Sequence, residues 1–221
     1  MKRIMKLIWI GAFLIVSLLP ITAQAAESGY GGLGREMKKQ CLSPAGVQLQ
    51  GDLRKLWIDH VTWTRLYAVS ALAGLEDQKQ VLARLLRNQQ DIGNAINPYY
   101  GEAAGNKLAE LLREHILIAG KIVEALKAGN QTDVDKYNKD WYRNADDIAA
   151  FLSQANPHWS NKELQAMFYK HLQLLTDDLT ARVKKDYDAE NVAFDKGEEH
   201  MIRFADTLTE GIIKQFPERF K

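Results

Sequence analysis

The sequence predicts an all-α fold: an up-and-down bundle of about six helices built from three antiparallel hairpins. Three observations carry this. Apolar residues recur at spacings of three and four through almost the whole chain, which is the period of a helix with one buried face. There are only five prolines in 221 residues, and they fall where helices would end rather than inside them. A block pattern also returns at a fixed interval. Arg87-Asn88-Gln89-Gln90-Asp91-Ile92 and Arg143-Asn144-Ala145-Asp146-Asp147-Ile148 share R-N-x-x-D-I, 56 residues apart. Arg203-Phe204-Ala205-Asp206-Thr207-Leu208 is a weaker echo. His60, His115 and His171 repeat at 55 and 56 residues. Three copies of one helical hairpin is the economical description.

The chain opens with Lys2, Arg3 and Lys6, then an apolar run from Leu7 to Leu19 broken only by Ser17. Pro20 ends the run and Ala23-Gln24-Ala25 supplies the small-x-small pattern of a peptidase site. This reads as an export signal over 1–25, cut after Ala25 or Ala26, and places the mature protein in the cell envelope or outside the cell. The run is shorter than the roughly 20 apolar residues that span a bilayer, and no later stretch is apolar enough, so no stable membrane insertion is expected. Residues 26–46, Gly-rich at their start, read as a flexible segment, and 47–221 as a single domain.

The first helix is expected over about Gln48–Leu72, with Leu53, Trp57, His60, Thr64 and Tyr67 on one face. Ala73-Gly74-Leu75 is a short turn and implies an antiparallel partner. That partner runs over about Glu76–Ile96 and is stopped by Asn97-Pro98. In the aromatic turn that follows, Tyr99 and Tyr100 would cover the end of the core with their hydroxyls in water. A third helix over about Glu102–Lys127 buries Leu108, Leu112, His115, Ile118 and Ile122 and ends at Gly129-Asn130. A fourth spans about Thr132–Gln154 up to Asn156-Pro157. Ser160 with Glu163 is a capping box for the fifth, about Asn161–Lys184, whose stripe holds Leu164, Phe168, His171 and Leu175. The sixth runs over about Ala189–Gln215 to Phe216-Pro217.

Composition narrows function by exclusion. Net charge is +1, with 26% charged residues of both signs, so there is no basic excess for nucleic acid. The single cysteine, Cys41, allows no internal disulfide, so stability must come from packing. There is no Gly-rich phosphate loop, no G-x-S-x-G elbow, no C-x-x-C and no H-E-x-x-H.

What remains is a polar band. Counting back and forward from each hairpin turn puts His60 level with the Asn88/Asp91 block, His115 opposite Asp146, and His171 opposite Arg203, one turn from His200 and Asp206. Unpaired, such groups would cost a few kcal/mol each, so they must satisfy one another, a water or a ligand. Three outcomes are open: a structural network that sets helix register, a metal site, or a pocket for a small organic ligand or haem. If a transition metal binds, the expected ligands and their supports are His60, His115, His171 and His200 with Asp91, Asp147 or Asp206. His158 lies in a turn and reads as a surface residue.

The chain also resembles a family of small exported helical proteins of Gram-positive spore-formers. The resemblance rests on Leu56-Trp57-x-x-His60-Val61-x-Trp63-Thr64-Arg65, Asn88-Gln89-x-Asp91-Ile92-Gly93, Pro98-Tyr99-Tyr100-Gly101, His115-Ile116-x-Ile118-Ala119 and Gln215-Phe216-Pro217. It covers nearly all of the mature chain. It implies export and an all-helical fold and adds no catalytic residue. Glycosyltransferase and acetylglutamate kinase activities, labels attached to such sequences, would both need an α/β nucleotide-binding core that this helical pattern lacks.

Overall fold

A computed structural model describes residues 41–221; the expected export signal and most of the expected flexible segment lie outside the described residues. Six helices follow in order: α1 Pro44–Ala73, α2 Gln78–Tyr100, α3 Glu102–Lys127, α4 Gln131–Ala155, α5 Asn161–Val183 and α6 Tyr187–Gln215. A short 3₁₀ turn, Pro217–Phe220, closes the chain. No strand occurs among the described residues, and none of their helices is long and apolar enough to cross a membrane.

Local chemistry sets the ends. The Ser43 hydroxyl accepts from the Gly46 N–H and Pro44 stands in the first turn, so α1 starts four residues before the expected Gln48. Proline is tolerated there because the N–H it lacks would have no helical partner. Gly74 and Gly129 take positive φ angles of 67° at their turns, where a side chain would be strained. Asn130, expected to end α3, instead caps α4 by accepting from the Asp133 N–H.

One expected stop is overridden. Asn97-Pro98 does not end α2, which runs on to Tyr100. Pro98 falls in the last turn, where it costs one backbone hydrogen bond, and the chain breaks only at Gly101. The Tyr100 hydroxyl is not in water either. It donates to Gln215 Oε1 (2.9 Å) and accepts from Asn156 Nδ2 (2.8 Å), tying this end of the bundle together.

Consecutive helices are joined by one to five residues and pack as neighbours, and α6 returns to pack on α1. The six therefore form a closed ring. The odd helices α1, α3 and α5 also touch each other, whereas the even ones fill the spaces between them. The core is laid down on the inner faces: Leu53, Trp57, Leu108, Leu112, Trp141, Ile148, Phe168 and Phe204 are almost fully buried. Trp57 and Phe168 each set their rings edge-on against Phe204, with centroids 4.9 Å apart. This arrangement puts one face of each odd helix against the bundle axis, and each of those faces carries a histidine.

Candidate functional site

His60, His115 and His171 meet inside the bundle. Each is no more than 3% exposed. The His171 ring centroid lies 5.4 Å from that of His60 and 6.1 Å from that of His115. Burial strips water from the charged form and pushes all three pKa values down, to about 3 for His60 and about 4 for His115. For His60 and His171 the neighbouring histidines add to this, because a second positive charge would be repelled. All three are neutral imidazoles at pH 7.

The even helices hold this layer by a recurring bond. Asn88 Nδ2 on α2 donates to the Leu56 carbonyl (3.1 Å), and Asn144 Nδ2 on α4 donates to the Leu111 carbonyl (3.1 Å). On α6 the same place is taken by His200, whose Nε2 lies 2.7 Å from the Met167 carbonyl. Leu56, Leu111 and Met167 each stand four residues before the histidine of their helix. Asn88, Asn144 and His200 are 56 residues apart. A carbonyl only accepts, so His200 carries its proton on Nε2. The same logic assigns His115. Asn144 spends its amide N–H on Leu111, so its Oδ1, 2.8 Å from His115 Nδ1, must accept, and His115 Nε2 is left with a free lone pair.

The layer is not internally satisfied. His60 Nδ1, His115 Nε2 and His171 Nε2 are buried without a hydrogen-bond partner, and so are Trp57 Nε1, Trp141 Nε1 and Gln89 Oε1. Gln89 reaches toward His60 and opposes the fall in its pKa; leaving the others unpaired costs about 1–3 kcal/mol each, which a buried water or a ligand would offset.

The acids expected here are elsewhere. Asp206 grips Arg54 (2.6 and 2.7 Å) and Gln50 (3.0 Å) on the outside of α1. Asp147 pairs with Arg143 (2.7 Å) at the surface. Asp91 is half-buried with no hydrogen bond or ion pair among those observed, while its neighbours Asn88, Gln89 and Ile92 face the core. Asp146, the expected partner of His115, accepts from Gln165 and Tyr169 of α5 instead. The cause is azimuth. Counting from the turns finds the right height, but at about 100° per residue these aspartates sit well round the helix from the buried stripe. His200 is buried at the right level, but its Nε2–H is used on the backbone.

As the side chains stand, no group of three or more His, Cys, Asp or Glu among the described residues brings its donor atoms close enough to hold a metal ion. Space is small too. A crevice between α1, α5 and α6 that reaches His171 has a volume of about 20 Å³. An apolar void bounded by Thr64, Ile116 and Leu175 has about 10 Å³. These are volumes for a water or an ion, not for haem or a drug-sized ligand. Depressions of about 390 and 500 Å³ lie on α3 and α4, and no triad residue lines either.

A second polar cluster adjoins the crevice. Glu190, 1% exposed, binds Arg65 (3.2 Å) and Arg182 (3.1 Å). Asp178, 4% exposed, forms no ion pair, and its Oδ1 has no partner. Desolvation lifts its pKa to about 6 against the pull of Arg65, with Glu190 adding to the rise. Asp178 continues the stripe Phe168, His171, Leu175 at the next helical step, so its burial was legible in the spacing. Glu190 was not: its burial depends on how α6 meets α1.

The chain matches no family model, no curated protein and no solved structure.

Proposed function

We propose that this is an exported binding protein that holds a transition-metal ion between α1, α3 and α5, with His60 Nδ1, His115 Nε2 and His171 Nε2 as ligands. The observation that supports it is the set of three buried imidazole nitrogens, one from each odd helix, with nothing to bond. Neutral imidazole is the ligating form, and these rings are neutral well below pH 7. Asn144 holds the His115 ring by its other nitrogen, as supporting groups do in metal sites. The adjoining spaces, about 20 and 10 Å³, are of a size for an ion rather than for an organic ligand or haem. Binding requires the donor atoms of His60 and His171 to move in on His115 Nε2, whose ring Asn144 keeps in place. His200, Asp91, Asp147 and Asp206 leave the ligand set.

The test is titration of the chelator-treated full chain with Co²⁺ and Zn²⁺. We expect one equivalent bound, visible Co²⁺ bands of a nitrogen-ligated site, and a raised melting temperature. His171→Gln, which keeps size and polarity, loses the bands; His158→Ala, at the exposed turn, keeps them. No binding by the wild type, or equal binding by His171→Gln, rejects the proposal.

A second reading is favoured by the three bonds from Asn88, Asn144 and His200 to backbone carbonyls. In it, three copies of one hairpin use the polar layer only to set register, with buried waters serving the free nitrogens. It predicts a stable metal-free protein. Export rests on residues 1–25; N-terminal sequencing of secreted material, expected to start at Ala26 or Glu27, checks it.

A further inference from the structure

The larger depression over α3, away from the triad, has the form of a small-molecule site. It lies between α2 and α4 and holds about 390 Å³, within the roughly 300–1,000 Å³ of such sites. Leu82, Ile116, Leu117 and Ala125 give it apolar walls, and Leu117 stays 42% exposed there. Its floor is the phenol of Tyr67, which reaches it from α1 and is only 6% exposed. Gly120 leaves that floor uncovered, because a Cβ on it would stand 3.2 Å from the Tyr67 hydroxyl. Burial raises the Tyr67 pKa, with Gln78 opposing and Glu124 adding to the rise, so the hydroxyl keeps its proton and can donate.

The hairpin repeat shows what is missing here. Gly120 stands five residues after His115; five after His60 is Arg65, whose guanidinium lies 4.5 Å over the Phe194 ring of α6. Phe194 and Leu82 are two periods of 56 apart, so the face that arginine on phenylalanine covers over α1 is bare over α3. The charges at the rim are also held apart. Lys121 leans toward α4, its ammonium 5.5 Å over the Tyr137 ring. Glu124 leans toward α2, where its Oε1 accepts from Gln78 Nε2 (3.0 Å), and its Oε2 has no protein partner. Though three positions apart on α3, the two form no ion pair with each other or with another described residue. Asp133 is drawn into the cap of α4 by Asn130.

We propose that this pocket binds a free amino acid with an apolar side chain, its ammonium on Glu124, its carboxylate on Lys121 and its side chain against Leu82 and Leu117. The unpaired cation and carboxylate on opposite walls complement the two charges of a zwitterion, and the apolar walls take what is left. The Tyr67 hydroxyl donates to the carboxylate from below. No triad residue lines the pocket, so this site stands independently of the metal-binding reading.

Isothermal titration of the full chain with L-leucine, and with its analogues lacking the amino or the carboxyl group, tests the proposal. Leucine is expected to bind at one equivalent and each analogue about tenfold more weakly or worse. Glu124→Gln and Lys121→Gln, both at exposed positions, should each weaken leucine binding about tenfold. Glu110→Gln, in the neighbouring depression, should bind as wild type does. Unchanged melting temperatures show that the variants are folded. No binding of leucine by the wild type overturns the proposal. So does binding of either analogue as tight as that of leucine, or wild-type affinity in both Glu124→Gln and Lys121→Gln.

Discussion

At the scale of single residues, Asn144 is committed through both ends of its amide. It is fully buried, donates to Leu111 and accepts from His115. Asn144→Ala strands a carbonyl and an imidazole N–H, and should cost about 2–3 kcal/mol in urea unfolding. Arg143→Ala next to it breaks two ion pairs with Glu114 and Asp147, all three half-exposed, and should change stability by less than about 0.5 kcal/mol. Asp178 has the opposite sign. Its folded pKa lies above the unfolded one, so its favourable contribution is present at low pH and is lost as pH rises through about 6. Asp178→Asn should therefore stabilise the protein at pH 7.5 by about 1–2 kcal/mol and change little at pH 4, as read from melting curves at the two pH values. These differences were only partly legible beforehand. Residue type and spacing marked His60, His115 and His171 as inward. The acids were misplaced because height along a helix says nothing of direction around it.

At the scale of elements, α2 and α3 show how closely two helices approach here. A Cβ on Gly105 would strike Asn97 Oδ1 and come within 2.5 Å of the Gly93 carbonyl oxygen; one on Gly93 would meet Ala109 Cβ at 2.8 Å. These are backbone atoms and a buried side chain, so they cannot yield cheaply. Gly105→Ala should destabilise by about 1–3 kcal/mol or more. Gly51→Ala is the control. It lies on the exposed face of α1 with nothing within 4 Å, and should stabilise by about 0.5–1 kcal/mol in the same denaturation assay. Helix existence followed from the three-and-four spacing, and several ends from Ser160, Gly74 and Gly129, whereas the Ser43 cap that starts α1 four residues early was passed over. Pro98 misled because its penalty is one hydrogen bond in a final turn, which the Gly93–Gly105 contact and the Tyr100 bonds outweigh.

At the scale of the whole molecule, three histidines kept neutral make the fold acid-labile. Their folded pKa values lie below the unfolded value, near 6.5, so the unfolded chain takes up more protons at acid pH. Their contribution is complete above pH 6.5 and declines below it, by up to about 1.4 kcal/mol per pH unit for each histidine until its folded pKa is reached. Urea midpoints should fall steeply between pH 6 and 4.5. His115→Phe, which cannot take up a proton, should flatten that decline even if it lowers stability at pH 7. Protons also compete weakly with any metal for these rings. Affinity should change little from pH 7.5 to 5.5, whereas an exposed histidine site would lose most of its metal over that range.

Sequence alone determined the helices and the histidine on the inner face of each odd one. Periodicity and capping are local, and hydrophobic burial acts on any amphipathic helix wherever its neighbours come from. Only the tertiary structure decided which polar groups meet. The odd helices converge on the axis, so their histidines come together, whereas Asp91, Asp147 and Asp206 lie off the buried faces of the even helices. Asp178 and Glu190 became neighbours only when α5 and α6 closed on α1. Such contacts depend on helix rotation and closure of the ring, which are set by the packing of the entire core rather than by any segment within it.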